Sequence, residues 1–208
     1  MKKIALLLGL VLGLSSCIGI KSAVTFNRDG SGVITFEYRI SKMLTEMGGD
    51  DGADVPLPIS EEELKSSLAD SPNLSLKKVS QRETEEDLYI TAEIEFKNVE
   101  EFTEVDSFSA MPMKLVKKGN EFTFTQLISE GTGSDSEDSE EMDEETKKMM
   151  ESFFAGYELS FTVTAPTSIQ DYNLGQISDD KKSVMYSIPL LEMNSLEEET
   201  VLEVRWRN

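Results

Sequence analysis

Ala23-Val24-Thr25-Phe26-Asn27-Arg28-Asp29-Gly30-Ser31-Gly32-Val33-Ile34-Thr35-Phe36-Glu37-Tyr38-Arg39-Ile40 is the stretch that decides the fold. Ala23 to Phe26 and Ile34 to Ile40 have strand character, and Asn27 to Gly32 between them is dense in turn formers, so the segment predicts a β-hairpin. In its second strand Ile34, Phe36, Tyr38 and Ile40 fall on one face, with Thr35, Glu37 and Arg39 on the other. Such alternation describes a strand with one dry and one wet face, the signature of an antiparallel sheet.

The same grammar repeats along the chain. Leu74 to Arg82 and Leu88 to Lys97 read as a second hairpin, with Ile90, Ala92, Ile94 and Phe96 facing inward. Leu115 to Lys118 and Phe122 to Thr125 form a third around Gly119-Asn120, a favoured two-residue turn. Later, Leu159 to Ala165, Val184 to Ile188 and Leu202 to Trp206 alternate with period two.

Helices are expected between these strands. Ser41 to Met47 reads as a short one. Ser60 with Glu63 fits a capping box, and Ile59 with Leu64 fits a hydrophobic staple, for a helix ending near Asp70. Asn98 and Glu101 would cap another that turns Val99, Phe102 and Val105 inward. The sum is an α+β fold: a largely antiparallel sheet of about eight or nine strands with three or four helices packed on one face.

An acidic insert around 130–146 interrupts this pattern. Asp135 to Glu145 holds eight carboxylates in eleven residues. It reads as a solvated lead into a helix from about Ser139 to Ala155, with Met142, Met149, Met150, Phe153 and Phe154 as its apolar side. A hard cation or a basic protein partner is the functional alternative. The EF-hand pattern fails, because a loop begun at Asp135 puts Glu140 where Gly is needed and Thr146 where a bidentate Glu is needed. The hairpin turn offers a second near miss: Asn27, Asp29, Ser31 and Gly32 match the first half of such a loop, but Tyr38 stands at its twelfth position. No metal site is expected.

The N-terminus gives an address. Lys2 and Lys3 precede the uncharged apolar run Ile4 to Leu14, eleven residues long. A bilayer span needs about 20 apolar residues, so this is a signal-peptide core. Leu14-Ser15-Ser16-Cys17 follows and resembles a bacterial lipobox. The resemblance implies diacylglycerol transfer to the Cys17 thiol and cleavage between Ser16 and Cys17. Residues 1–16 are then the signal peptide, 17–22 the lipidated Cys and a short tether, and 23–208 a single domain. Two or three acyl chains anchor stably where one gives marginal binding. The expected location is the cell membrane or outer membrane, lipid-anchored and outside the cytoplasm, in the periplasm or at the cell surface.

Composition narrows the chemistry. The 208 residues carry 40 acidic and 20 basic side chains, a formal charge of −20, with no His and one Cys. Without His there is no Ser-His-Asp or Cys-His catalysis and no imidazole metal site. One Cys cannot make an intramolecular disulfide or a thiolate zinc cluster. The charge repels phosphate backbones, so no nucleic acid is expected. No nucleophile-elbow or phosphate-binding Gly motif is present, which leaves paired-carboxylate hydrolysis as the catalytic alternative. The expectation is a protein that is not an enzyme and holds no cofactor beyond the covalent lipid on Cys17. The ten methionines are compatible with an apolar or lipid ligand, since Met adapts to irregular pockets, and equally with a Met-tolerant core.

Taken in order, the hairpin Val24 to Ile40 with its Asp29-Gly30-Ser31-Gly32 turn, the helix after Ser60, the strand Leu88 to Lys97 with Asn98-Val99-Glu100-Glu101-Phe102, and the last strand ending Val204-Arg205-Trp206 resemble the LppM-like family of bacterial lipoproteins over most of residues 20–207. That resemblance implies an α+β domain suspected of binding lipids or glycolipids. The acidic insert is a departure from the family pattern. So is the C-terminus: many members carry a transmembrane helix there, and none is read in this sequence. Three functions stay open: a lipid-anchored binding or interaction domain, a surface-exposed structural or adhesin-like lipoprotein, and, as the lesser alternative, a carboxylate-based hydrolase.

Overall fold

The structure is a computed structural model that describes residues 19–42, 61–85, 87–105, 108–109, 111–131, 157–193 and 195–208. Among the described residues eleven strands follow in chain order: β1 (Ile20–Phe26), β2 (Gly32–Ser41), β3 (Leu74–Glu83), β4 (Asp87–Phe96), β5 (Met113–Lys118), β6 (Glu121–Ser129), β7 (Glu158–Thr164), β8 (Ile169–Tyr172), β9 (Gln176–Ile177), β10 (Ser183–Pro189) and β11 (Thr200–Arg207). They form two sheets, a seven-stranded one ordered β3-β4-β2-β1-β7-β10-β9 and a four-stranded one ordered β5-β6-β11-β8.

This overturns the expectation of one sheet with three or four helices on one face. Among the described residues there are two short α-helices, Glu61–Ser67 and Leu190–Met193, and a 3-10 turn at Val99–Glu104. Alternation along a strand says that one face is dry and is silent about what covers it. Here the cover for the larger sheet is mainly a second sheet, and the architecture is predominantly β. Asn98 does cap as expected, its side chain accepting from the Glu100 N–H, but the turn it opens is 3-10 rather than α. The helices expected over Ser41–Met47 and Ser139–Ala155 fall almost wholly outside the described residues.

The hairpins read from the sequence form in register. β1 and β2 pair antiparallel with Val24 opposite Ile34, and β3 with β4 and β5 with β6 are likewise antiparallel. Gly32 is required where β2 leaves its turn, because a Cβ there would lie 2.1 Å from the Thr25 carbonyl oxygen. β1 and β7 pair in parallel, Val24 beside Val163, at the centre of the larger sheet. A parallel pair needs a long crossover. Here the intervening chain builds β2 to β6 in both sheets.

Inward side chains of both sheets meet in one core, from Val24, Phe26, Ile34 and Ile94 on one side to Phe124, Leu202, Val204 and Trp206 on the other. Phe26 joins them, its ring 5.1 Å from both Phe124 and Trp206. Phe36 stacks on Phe108 at 4.6 Å, so the segment after β4 covers the β2–β4 side of the larger sheet. Each such aromatic contact adds about 0.5–1.5 kcal/mol beyond burial.

Two ends of the sandwich are distinct. The tip carries the turns Asn27–Ser31 and Gly119–Asn120, linked by the Asn208 side chain donating to the Arg28 carbonyl and the Asn208 N–H to the Asn120 carbonyl. The base carries the starts of β1, β4 and β7 and the ends of β2, β6 and β10.

Candidate functional site

Cys17 and Ser16 lie outside the described residues, as does the acidic run Asp135 to Glu145 with the methionines near it. What is described begins two residues after Cys17. Gly19 is buried, donates its N–H to the Glu158 carbonyl at 3.0 Å and accepts from the Arg39 N–H at 2.9 Å. Strand β1 proper starts at Ile20, three residues before the Ala23 expected from the alternation. The anchor position is thus followed almost at once by the middle strand of the larger sheet.

Around Gly19 the base of that sheet is built from paired cations and tyrosines. Arg39 bonds Asp87 at 2.6 Å, with 10% and 6% of the two side chains exposed, and lies 5.0 Å over the Tyr157 ring. Arg82 sits 4.0 Å over the ring of Tyr89, opposite it on β4. Lys42 pairs with Glu83, and Lys21 with Glu37, each at 3.1 Å. The same end of the larger sheet also exposes Glu83 and Glu85 beside Arg82, while at the corresponding end of the smaller sheet the exposed charges are acidic. There Glu130, Glu197, Glu198 and Glu199 are exposed, and Gly131 packs on the backbone of 197–199, where an added Cβ would approach to 2.7 Å.

Inside the sandwich, polar groups stand without hydrogen-bond partners among the described residues. They are the Ser22 hydroxyl, the Tyr38 hydroxyl, the Gln126 amide nitrogen and the Trp206 indole nitrogen. Ser22 pairs with Phe36, two residues from Tyr38 on the same inward face of β2, while Gln126 comes from the smaller sheet opposite Met113 and Leu202. Burial pushes the Tyr38 hydroxyl up to about 12 and keeps it neutral. Isolated buried donors are costly, and native proteins usually satisfy them with protein or water. Periodicity placed Tyr38 in the core; nothing in the pattern distinguishes a hydroxyl inside from a phenyl.

The methionine roster does not assemble a pocket among the described residues. Met113 is buried and Met111 and Met193 partly so, while Met185 is 52% exposed on the outer face of β10. Met43, Met47, Met142, Met149 and Met150 fall outside them. The near-miss cation loop is closed on itself: Asn27 Nδ2 donates to Ser31 Oγ at 3.0 Å, and the Ser31 N–H and hydroxyl both donate to Asp29 Oδ1, at 3.0 and 2.7 Å. These bonds hold the Asp29 carboxyl below the usual range. Among the described residues no group of three acidic or Cys side chains is placed to hold a metal ion, and no helix is long and apolar enough to cross a membrane.

No protein-family model matches the chain, and no curated protein does. Among solved structures, the chain is similar to the folded domain of the Mycobacterium tuberculosis protein LppM, determined by NMR. The TM-score is 0.45 and the identity 12%, over 92% of this chain and 90% of that one. A likeness of this extent carries neither ligand nor activity across.

Proposed function

We propose that this chain is a lipoprotein of the bacterial envelope, anchored through Cys17, whose β-sandwich is a binding or interaction domain rather than an enzyme. The observation that carries this reading is the lipobox Leu14-Ser15-Ser16-Cys17 behind an eleven-residue apolar core, with the only Cys of the chain at the modification position. The absence of His from the whole sequence supports the non-enzymatic part. Replacing Cys17 with Ala should abolish incorporation of a palmitate analogue in cells and release the protein from the membrane fraction. Labelling that persists in the Ala variant would refute lipidation at this residue.

An amphiphile held between the sheets is a second reading, favoured by the buried, unpartnered Ser22, Tyr38 and Gln126 groups. A ligand with an apolar body and a polar head would meet apolar walls and these donors together. Native mass spectrometry of the mature chain tests it: a co-purifying amphiphile that Gln126→Leu removes would support the reading. A bare protein mass from cells carrying their own lipids would end it.

A further inference from the structure

The distance between the anchor and the fold has a consequence for how the domain meets its membrane, and this rests on the lipidation of Cys17 proposed above. Ile18 alone separates Cys17 from Gly19, and Gly19 is already hydrogen-bonded on both sides, to β2 and to the start of β7. Two residues span at most about 7 Å. The headgroup layer of one leaflet is itself about 6 Å deep, half the difference between whole-bilayer and hydrocarbon thickness. A lipidated Cys17 therefore leaves no slack for the domain to hang free, and the base must lie at or within the headgroups. The ten residues of β2, at about 3.3 Å each, then carry the tip roughly 30 Å outward.

The two halves of the base are not equivalent toward such a surface. The smaller sheet ends in Glu130 and Glu197 to Glu199, which lipid phosphates repel. The larger sheet also exposes Glu83 and Glu85, with Glu83 paired to Lys42, but it presents Tyr157 under Arg39, and Tyr89 under Arg82, with Arg82 exposed. Tyrosine favours the membrane interface because its ring is apolar and its hydroxyl wet, and a guanidinium pairs with phosphate oxygens. We propose that the protein stands on its membrane on the larger sheet's base, with Tyr89 and Tyr157 at the interface and Arg82 beside lipid phosphates. The glutamates of the smaller sheet tilt away.

Because the chain's one Cys is consumed by the lipid, a thiol introduced elsewhere can be labelled alone. The lipoprotein is reconstituted into phosphatidylethanolamine–phosphatidylglycerol vesicles with a nitroxide at Glu85→Cys, in the turn between β3 and β4, or at Asn120→Cys, at the tip. The ratio of collisions with lipid-phase oxygen to collisions with an aqueous nickel chelate should be several-fold higher at 85 than at 120. A long Gly-Ser spacer inserted after Ile18 should erase the difference, and Arg82→Gln should reduce it. Equal, fully aqueous ratios at both positions, in protein that carries the palmitate label, would overturn the proposal while leaving lipidation intact. Absence of the palmitate label would overturn both together. Circular dichroism of each variant confirms that the sandwich is retained.

Discussion

The tip and the base of the sandwich are made by the same strands and closed in opposite ways. Toward the tip, Phe26, Phe96, Phe122, Phe124 and Trp206 fill the space between the sheets, with Phe122 stacked on Trp206 at 5.5 Å. Toward the base, the inward positions of β1 and β2 include Ser22 and Tyr38, and the rim holds the Arg39–Asp87 pair with Arg39 over the Tyr157 ring. Ring packing excludes water and seats the rings edge-to-face or stacked, so it fixes the sheets at one end. Buried donors and an ion pair add little net stability but define which groups meet. The aromatic end lies far from Gly19, the first described residue; the end that carries polar detail lies beside it.

Breaking the aromatic end should give the largest effect. Phe124→Ala removes a fully buried ring that touches Phe26 and should cost about 3–5 kcal/mol. Urea denaturation followed by Trp206, the single tryptophan, reads this directly, and a loss below about 1 kcal/mol would mean that the tip is not the structural clamp. Next comes the ion pair at the base. Asp87→Ala removes one partner of the Arg39 guanidinium, 10% exposed, and should cost about 3 kcal/mol, the low end for a broken buried pair because the Tyr157 face remains.

Gln126 sharpens the contrast by its sign. Its amide nitrogen is buried without a partner among the described residues, so Gln126→Leu should stabilise the protein by about 1–3 kcal/mol. Destabilisation instead would show that the amide is satisfied by a bound molecule. The pH response tests the neighbouring hydroxyl. Tyr38 is raised from 10.0 to about 12 by burial, so its contribution is complete below pH 10 and is lost as pH rises toward 12. Tyr38→Phe should remove that alkaline loss and, because it also removes a buried hydroxyl without a partner among the described residues, should stabilise the protein at neutral pH. The smallest effect is expected on the surface: Lys65→Ala breaks an exposed i,i+4 pair with Glu61 and should shift stability by no more than about 0.5 kcal/mol.

The strands were legible where burial is one-sided. β2, β4, β6 and β11 alternate cleanly because each has a dry face and a wet one, and their burial follows the alternation. β8 and β9 were missed. Each is short, at a sheet edge, with Ile169 the single buried residue between them, so no period exists to read. The second sheet was illegible for a different reason, since local alternation carries no information about which strands pair across long separations. At the base, Arg39 read as a wet-face residue on β2, as its parity requires; that its charge is buried against Asp87 depends on β4. The unpartnered Gln126 sat between Phe124 and Ile128 on a dry face, a polar residue in an apolar register. That irregularity was the one available sign of it.

The central claim is that the sandwich is carried on a lipid at Cys17, and the mature N-terminus answers it. Trypsin cuts after Lys21, so the native protein should release Cys17-Ile18-Gly19-Ile20-Lys21 bearing a diacylglyceryl group on sulfur, visible by mass spectrometry of the membrane fraction. A mature chain that begins at any other residue, or this peptide with a free thiol, would contradict the account.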